Sequence, residues 1–282
     1  MGKKKVEILV ACHKPDTVYR DDVYTPIHVG RAISKYTAEM NDFIGDNTGD
    51  NISEKNASYC ELTAQYWAWK NIHDVEYIGL CHYRRYFKKL ITNENVGKEL
   101  AGYDMIVASH ILMPKNIKSW LCGSLTSEDV YILYQVLIKR NPEAKDVIDE
   151  FFAKKNSIYP CNMFLCSKSL FDEFAKWQFG ILQEVELNVI PSGYTRLKRL
   201  YGYLAEALLN LYILLKGLKV KEMSLVSMIG DEKAIMKSTF LQDLKTKIRF
   251  MLQPHDLNWD YALIAGLKAD GIYNKVSHCC PV

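Results

Sequence analysis

Short apolar runs with little alternation recur along the chain, separated by longer stretches whose apolar residues follow the helical period. Unalternating runs are typical of buried strands, whereas helical spacing indicates amphipathic helices. The predicted strands are 6–12, 26–30, 77–81, 103–108 and 162–166, and the predicted helices are 60–71, 199–215, three that start at 127, 142 and 169, and a weak one between 30 and 40. This alternation predicts an α/β fold with a mixed, mainly parallel sheet flanked by helices.

The pattern changes after residue 215, where apolar positions are interspersed with lysine and arginine. We therefore predict one domain at 1–215 and a C-terminal helical extension at 216–282. Two placements of the extension stay open. It could pack on the domain, or it could be a basic amphipathic surface that faces a membrane or a lipid-linked acceptor.

The composition is that of an ordinary globular protein, with 282 residues, 49% hydrophobic and 24% charged. A net charge of +3 is too close to balance to indicate nucleic acid, so no nucleic-acid partner is expected. No apolar run approaches the roughly 20 residues of a membrane span, and no signal peptide is recognisable. The eight cysteines form no C-x-x-C pair. We expect a cytoplasmic protein, with a place at the inner face of the membrane left open.

The motifs of several large enzyme classes are missing from the sequence. It contains no G-x-G-x-x-G, no G-x4-G-K-[ST], no H-E-x-x-H and no G-x-S-x-G. Zinc enzymes, P-loop nucleotide hydrolases and α/β-hydrolases are therefore poorly supported, and a phosphotransferase is weakened by the lack of a phosphate-cradling glycine loop.

The stretch YIGLCHYRRYF at 77–87 begins as a buried strand and turns abruptly into His82, Tyr83, Arg84 and Arg85. Open α/β sheets bind ligands at the carboxyl ends of their strands, and guanidinium groups bind phosphate oxygens without a metal. The alternative is a solvated strand end whose arginines pair with surface carboxylates. Adjacent side chains of a strand point in opposite directions, so a persisting strand would aim only one arginine at a ligand.

A second polar cluster follows at 46–51, where the sequence reads DNTGDN. It leads into Ser58 and Glu61, which have the S-x-x-E spacing of a capping box. Either the loop is a turn joined to a capped helix, or its amides and carboxylates grip the base or ribose of a nucleotide.

Two further carboxylates stand out by their positions. Asp104 lies at the start of a predicted strand, where it could simply be solvated. Glu206 lies in an apolar helical segment, where it is either paired with a neighbour such as Arg199 or poised as a base.

Taken together, the blocks DNTGDNISEKNASYCELTAQYWAWKN and YIGLCHYRRYF resemble a bacterial family first catalogued as a domain of unknown function. That family is found in capsule, exopolysaccharide and O-antigen loci and is similar to GT-A glycosyltransferases. Further matches are HK at 13–14, PIHVG at 26–30, YDMIV at 103–107, NMFLCSKSLFDEFAKWQFGIL at 162–182 and RLYGYLAE at 199–206. The resemblance spans roughly residues 6 to 215.

The resemblance implies a GT-A-like enzyme that transfers a hexose from a nucleotide-sugar donor, a UDP-hexose such as UDP-galactofuranose, to a saccharide or lipid-linked acceptor. Its matching positions imply catalytic roles for Glu206 first and for Asp50 or Asp104 after it, and acceptor contacts for Asn162 and Arg199. The implied donor-binding residues are His13, Lys14, Asp46, Asn47, Asn51, Glu61, His82, Tyr83, Arg84 and Arg85. We expect an inverting reaction, which needs one general base on the acceptor hydroxyl.

The strand end at 81–85 departs from what a GT-A enzyme normally carries. Asp-x-Asp holds a divalent metal there, but this chain has Cys-His-Tyr-Arg-Arg, which offers no carboxylate for a hard cation. Mg²⁺ or Mn²⁺ stays open as a cofactor, but no metal ligand is assigned. We hypothesise that Arg84 or Arg85, with His82 and Lys14, neutralises the leaving diphosphate instead. The alternative function is a non-catalytic subunit of a polysaccharide assembly complex that binds a sugar nucleotide or a glycan.

Overall fold

The computed structural model describes residues 4–229, 232–236 and 238–277. Two of the cysteines, Cys279 and Cys280, lie outside the described residues. The strands are β1 Lys4–Cys12, β2 Tyr24–His28, β3 Ile44–Gly45, β4 Val75–His82, β5 Arg85–Phe87, β6 Met105–Ala108, β7 Ile111–Leu112, β8 Ser157–Ile158, β9 Phe164–Ser167, β10 Val220–Met223, β11 Leu225–Ile229 and β12 Glu232–Met236. The helices are α1 Asn56–Tyr59, α2 Leu62–Asn71, α3 Val96–Leu100, α4 Ile117–Ser124, α5 Ser127–Arg140, α6 Lys145–Lys154, α7 Lys168–Glu186, α8 Leu200–Lys216, α9 Phe240–Met251, α10 Tyr261–Ala269 and α11 Tyr273–Ser277.

The chain divides into two compact units. The first unit comprises Met1–His110, Tyr159–Lys176 and Lys216–Ser238, and the second comprises Ile111–Ile158, Trp177–Leu215 and Thr239–Val282. The domain boundary predicted at residue 215 stays a prediction.

The first unit is built on a sheet with the strand order β10-β6-β9-β4-β1-β2-β3. β1 pairs in parallel with β4 and β2, β2 with β3, and β6 with β10, whereas β9 is antiparallel to both of its neighbours. The predicted α/β fold with a mixed, mainly parallel sheet and flanking helices is therefore confirmed. The carboxyl ends of β1 to β4 lie at one edge of this sheet together with the amino end of β9, and we call it the carboxyl edge.

Local sequence explains the centre of the sheet. Every residue of β1 from Val6 to Cys12 is buried, as expected of a strand covered on both faces. β4 and β9 approach each other closely at Gly79, where a Cβ atom would lie 2.7 Å from the carbonyl oxygen of Phe164. Glycine is therefore required for this strand pair to form.

The weak helix predicted between residues 30 and 40 is wrong. Only Arg31–Ile33 forms a short 3-10 turn, and irregular turns follow it. The Arg31 guanidinium donates hydrogen bonds to the carbonyl oxygens of Met40 at 3.2 Å and Phe43 at 3.0 Å. This long side chain stabilises the loop by occupying backbone acceptors, which a pattern of apolar positions does not reveal.

Beyond residue 215, the predicted C-terminal helices are present as α9, α10 and α11, but strands precede them. β10 extends the main sheet beside β6, and β11 pairs with both β5 and β12 in antiparallel ribbons. These short strands alternate too little to be told from a helical pattern in the sequence.

Helices and the small β7–β8 pair form the second unit. The ring of Tyr131 on α5 lies 5.0 Å from that of Trp259 and is stacked 6.4 Å from that of Tyr273 on α11. The aromatic contacts fasten the C-terminal helices to α5. Across the described ranges, no helix is both long and apolar enough to span a membrane.

Candidate functional site

The polar cluster after β4 does not continue as a strand. β4 ends at His82, the chain turns at Tyr83 and Arg84, and His82 then pairs with Arg85 at the start of β5. The expectation that only one arginine can face a ligand assumed an unbroken strand, so it does not apply to Arg84 and Arg85 here. The two arginines differ instead in their contacts with other side chains.

Arg84 is already neutralised by a carboxylate. Its Nε lies 2.8 Å and its Nη2 2.7 Å from the same Asp16 oxygen. The guanidinium carbon also lies 5.0 Å from the ring centroid of Tyr83. An arginine that is paired and stacked in this way has less charge to offer a ligand.

Arg85 has a different environment. Its Nη1 lies 3.4 Å from the Sγ of Cys161, a weak acceptor, and no carboxylate in the described ranges lies within ion-pair distance of it. His82 meets the same loop, with Nε2 2.7 Å from the Cys161 carbonyl oxygen. Nε2 must carry the proton to donate this bond, so a neutral His82 imidazole keeps Nδ1 as an acceptor.

The end of β1 brings further predicted residues to the same edge. Ala11 pairs with His82 in the sheet, and the ring of His13 lies 5.4 Å from that of Tyr83, edge to face. Lys14 follows and is half-buried. We define the cationic edge as His13, Lys14, His82, Arg84 and Arg85, with Tyr83 as its buried aromatic support.

Glu61 and Asn162 form a second pair in the first unit. The Asn162 amide donates a hydrogen bond of 2.7 Å to the Glu61 carboxylate, and both residues are buried. The predicted capping box is wrong, because the Glu61 side chain makes no cap and the Ser58 hydroxyl donates to the carbonyl of Lys55 instead. Burial among other side chains outweighed the local spacing.

Backbone strain surrounds this pair. Among the described residues, the non-glycine positions with positive φ are Cys60 at 53°, Cys161 at 73° and Asn162 at 50°. Such conformations cost energy and persist where the surrounding structure determines them, often at functional sites. The strained Cys161 also presents its carbonyl oxygen to His82, so the Glu61–Asn162 pair and the cationic edge share one loop.

Asp46 lies in a different situation. It is fully buried and accepts hydrogen bonds from the backbone N–H of Gly30 at 2.7 Å, from that of Arg31 at 3.1 Å and from the Ser53 hydroxyl at 2.5 Å. Gly30 has φ of +68°, and a Cβ there would lie 2.6 Å from Asn56. We call Gly30, Arg31, Asp46 and Ser53 the Asp46 turn, in which the carboxylate orders backbone.

The remaining predicted residues of the 46–51 loop are also engaged. The Asn51 amide donates to the Gly49 carbonyl at 2.9 Å, and its oxygen accepts the Ser53 N–H at 3.1 Å. Asp50 accepts a hydrogen bond from the Tyr66 hydroxyl at 3.2 Å and lies 3.7 Å from Lys70 Nζ. Asn47 lies against Gly45, where its Oδ1 would be 2.4 Å from a Cβ.

Asp104 is separated from the other candidates of the first unit. β6 runs parallel to β4, because both are antiparallel to β9. Asp104 precedes β6 and therefore lies at the edge opposite the carboxyl edge, where its Oδ2 accepts the Lys219 N–H at 2.8 Å. This placement argues against the catalytic role predicted for Asp104.

Arg199 and Glu206 belong to the second unit. Arg199 ends a 3-10 turn before α8, exposed, with its guanidinium carbon 5.7 Å from the ring centroid of Tyr203. Between Leu200 and Ile213, only Tyr203 and Glu206 escape full burial. The two residues form a half-exposed polar stripe on an otherwise buried helix.

Sequence reasoning missed two residues of the first unit that bear on this region. Asp16 pairs with Arg84, and His28 at the end of β2 is fully buried with neither ring nitrogen hydrogen-bonded in the described structure. Burial lowers the pKa of His28, and the nearby Arg31 lowers it further against the opposing effect of Asp46. His28 lies in the PIHVG block, but that block carries no sign of its burial.

The cationic edge does not fit a divalent metal. Hard cations need several oxygen ligands, and Asp16, a carboxylate at this edge, is already paired with Arg84. Among residues 4–229, 232–236 and 238–277 no cluster of three or more His, Cys, Asp or Glu side chains could hold a metal ion. No chemical step is therefore assigned to a metal here.

Comparison with known proteins identifies the family. The model of a domain of unknown function, DUF4422, matches residues 7–217, which is most of the chain, so the protein belongs to this family. The chain is also similar to the apo structure of the WbbM bifunctional glycosyltransferase, with a TM-score of 0.70 and 28% identity. That similarity covers 84% of this chain and 47% of the other, so this chain spans about half of the enzyme it matches. The search among curated proteins gave no match.

Proposed function

Starting from this family membership, we propose that the chain is a glycosyltransferase unit that moves a hexose from a nucleotide diphosphate donor to a saccharide acceptor. The likeness to part of a glycosyltransferase supports the reaction class. The observation that carries the proposal is the Arg85 guanidinium, which stands at the carboxyl edge of the sheet with no carboxylate partner among the described residues. Ligands bind at this edge in open α/β sheets.

Arg85 would neutralise the diphosphate as it leaves. Breaking the bond between the anomeric carbon and the diphosphate oxygen places negative charge on that oxygen, and a fixed cation stabilises it. His82 is oriented by the Cys161 carbonyl, and Lys14 stands at the end of the neighbouring strand. This arrangement makes Arg85 the better of the two arginines, since Asp16 already pairs with Arg84.

Glu206 is the general base that we propose for deprotonating the acceptor hydroxyl. It would accept the proton of the acceptor hydroxyl while that oxygen bonds to the anomeric carbon from the opposite side, which inverts the anomeric configuration. Asp50 is engaged with Tyr66 and Lys70, and Asp104 lies at the opposite edge. We propose a UDP-hexose as the donor and a saccharide or lipid-linked glycan of a bacterial surface polysaccharide as the acceptor. Arg199 and Asn162 are proposed acceptor contacts.

Donor turnover tests the proposal directly. The purified chain is incubated with UDP-hexoses of pyranose and furanose form, and UDP release is measured with and without a saccharide acceptor. We expect slow release without acceptor, faster release with it, and the same rates in chelator and in Mn²⁺. A rate that vanishes in chelator and returns with Mn²⁺ would contradict the role of Arg85. A Glu206→Gln variant with wild-type turnover would remove Glu206 as the base.

A non-catalytic binding subunit is the second candidate. The observation that favours it is that two of the three predicted catalytic carboxylates hold structure together: Asp50 binds α2 and Asp104 binds Lys219. Such a subunit would bind UDP-hexose, visible as a rise in its melting temperature, yet release no UDP. The turnover assay therefore separates the two functions.

A further inference from the structure

Helix α9 of the second unit exposes its apolar face. Six large apolar positions in and just after the helix are between 43% and 80% exposed, and no residue of the helix is buried; they are Phe240, Leu241, Leu244, Ile248 and Met251, with Leu252 directly after its end. At about 100° per residue these side chains fall within an arc of roughly 120°. A surface helix of a globular protein normally turns such an arc toward the core.

The opposite side of α9 faces the protein. Asp243, Thr246 and Phe250 are its half-buried residues, and they lie on the far side of the helix from the apolar arc. The helix packs beside β7, and Phe250 covers His255 with ring centroids 4.3 Å apart. Asp243 and Thr246 thus lie on the protein side with a single aromatic residue, Phe250, whereas the leucines lie on the exposed side.

Basic residues border the apolar arc on both sides. By the same helical spacing, Lys247 lies about 20° beyond one border, and Lys245 with Arg249 about 20° to 60° beyond the other. Long basic side chains beside an apolar face can reach phosphate groups while the face is buried in acyl chains. The single acid, Asp243, is on the protein side.

The start of the helix is encoded locally. Thr239 and Gln242 form a complete capping box, with the Thr239 N–H donating to Gln242 at 2.9 Å and the Gln242 N–H donating to Thr239 at 3.3 Å. A capped helix of 12 residues is nevertheless marginal in water without a covered apolar face. We propose that α9 lies in the plane of an anionic membrane surface, with its apolar arc in the acyl region and its lysines at the lipid phosphates.

This proposal goes beyond the proposed function and does not depend on it, because membrane binding is measured without any sugar donor. The charge pattern selects lipid over other occupants. Two facing copies of α9 would bring Lys245, Lys247 and Arg249 of each copy close to their counterparts, whereas anionic headgroups neutralise them.

Vesicle sedimentation tests the proposal. The full chain is spun with phosphatidylcholine vesicles that contain or lack phosphatidylglycerol, and the bound fraction is measured at low and high salt. We expect binding that requires the anionic lipid and weakens with salt. A Leu241→Gln/Ile248→Gln variant should bind at least about tenfold more weakly. A Lys245→Gln/Lys247→Gln variant should lose about fivefold per lysine.

Matched controls make the same changes elsewhere. Ile33→Gln removes an exposed apolar side chain, and Lys176→Gln removes an exposed charge from a helix, so both should bind vesicles like the wild type. Circular dichroism verifies that every variant is folded. Absence of wild-type binding, or wild-type binding by both α9 variants, overturns the proposal. So does a dimer in vesicle-free solution that the Leu241→Gln/Ile248→Gln variant dissociates, because a second copy would then cover the arc.

Discussion

The cationic edge and the Asp46 turn lie at the carboxyl edge of the same sheet and look equally polar in the sequence, yet they use their polar groups in opposite ways. In the Asp46 turn, one buried carboxylate takes three hydrogen bonds from the surrounding chain. At the cationic edge, Arg84 has a carboxylate partner and Arg85 next to it has only a weak sulfur contact. The density of polar residues therefore does not distinguish the two regions, whereas the lack of a carboxylate partner sets Arg85 apart among the described residues.

The first prediction concerns the two arginines, each removed in a separate variant. If Arg85 stabilises charge that develops on the leaving group, Arg85→Gln should lower kcat by about 100- to 1,000-fold, the usual cost of losing one such donor. Arg84→Gln is the matched change, and it should lower kcat by less than about tenfold because Asp16 already neutralises Arg84. UDP release from the active UDP-hexose measures both.

The stability of these variants is the control. Arg84 is a partly exposed ion pair, so its loss should cost less than about 1 kcal/mol of unfolding free energy. If Arg84→Gln proves as inactive as Arg85→Gln while both remain folded, pairing with a carboxylate does not distinguish the functional arginine at this edge.

The second prediction concerns the Asp46 turn. Asp46→Ala leaves three buried or half-buried donors without an acceptor, so it should lower the unfolding free energy by about 3 kcal/mol or more. Urea denaturation measures the loss. Asp74→Ala, which removes an exposed carboxylate, is the control and should change stability by less than about 0.5 kcal/mol. A stable Asp46→Ala variant that has lost donor binding would assign Asp46 to the ligand site instead.

The sequence predicted the fold well because burial of strands leaves a plain pattern. β1 is one unbroken buried run from Val6 to Cys12, and β4 ends at His82, one residue after its apolar run. The polar clusters were harder, because the same residues DNTGDN can grip a ligand or their own backbone. The partners that decide this are distant in the chain: Asp16 lies 68 residues before Arg84, and Asn162 lies 101 residues after Glu61.

Left-handed backbone at Cys161 could not be read from the residue type either, since cysteine rarely adopts it. Asn162 is a residue type that tolerates positive φ, so it carried a weak local signal. The apolar and basic pattern of α9 left open that this segment is a basic amphipathic surface. The outward orientation of its apolar arc depends on the tertiary structure.

The third prediction tests the Glu61–Asn162 pair, which adjoins the cationic edge through the loop at Cys161. Asn162→Asp places a second carboxylate 2.7 Å from Glu61 in a buried site, and we expect a loss of about 2 kcal/mol of unfolding free energy near neutral pH. Exchanging the pair, Glu61→Gln with Asn162→Asp, restores one amide and one carboxylate and should recover most of the loss. If the exchanged pair is as unstable as Asn162→Asp alone, the hydrogen bond is not what holds the two residues together.

The last and smallest effect concerns His28, which joins the Asp46 turn through its backbone: the Asp46 N–H donates to its carbonyl oxygen at 3.3 Å. Its pKa is lowered by burial from the ordinary value of 6.5. The unfolded chain therefore binds a proton that the folded chain refuses, so stability is retained above pH 6.5 and falls as the pH drops toward the folded pKa. The slope from one such proton is at most about 1.4 kcal/mol per pH unit. Urea denaturation between pH 7.5 and 5, a range that brackets the ordinary histidine pKa of about 6.5, should show a smaller loss of unfolding free energy for His28→Leu than for the wild type.

In an Asp46→Asn background the pKa of His28 should fall further, because the negative charge that opposes the effects of burial and Arg31 is gone. The loss of unfolding free energy should then continue to lower pH. Parallel curves for wild type and His28→Leu would mean that His28 is reached by water or by a proton acceptor, and that the Asp46 turn is less closed than its hydrogen bonds indicate.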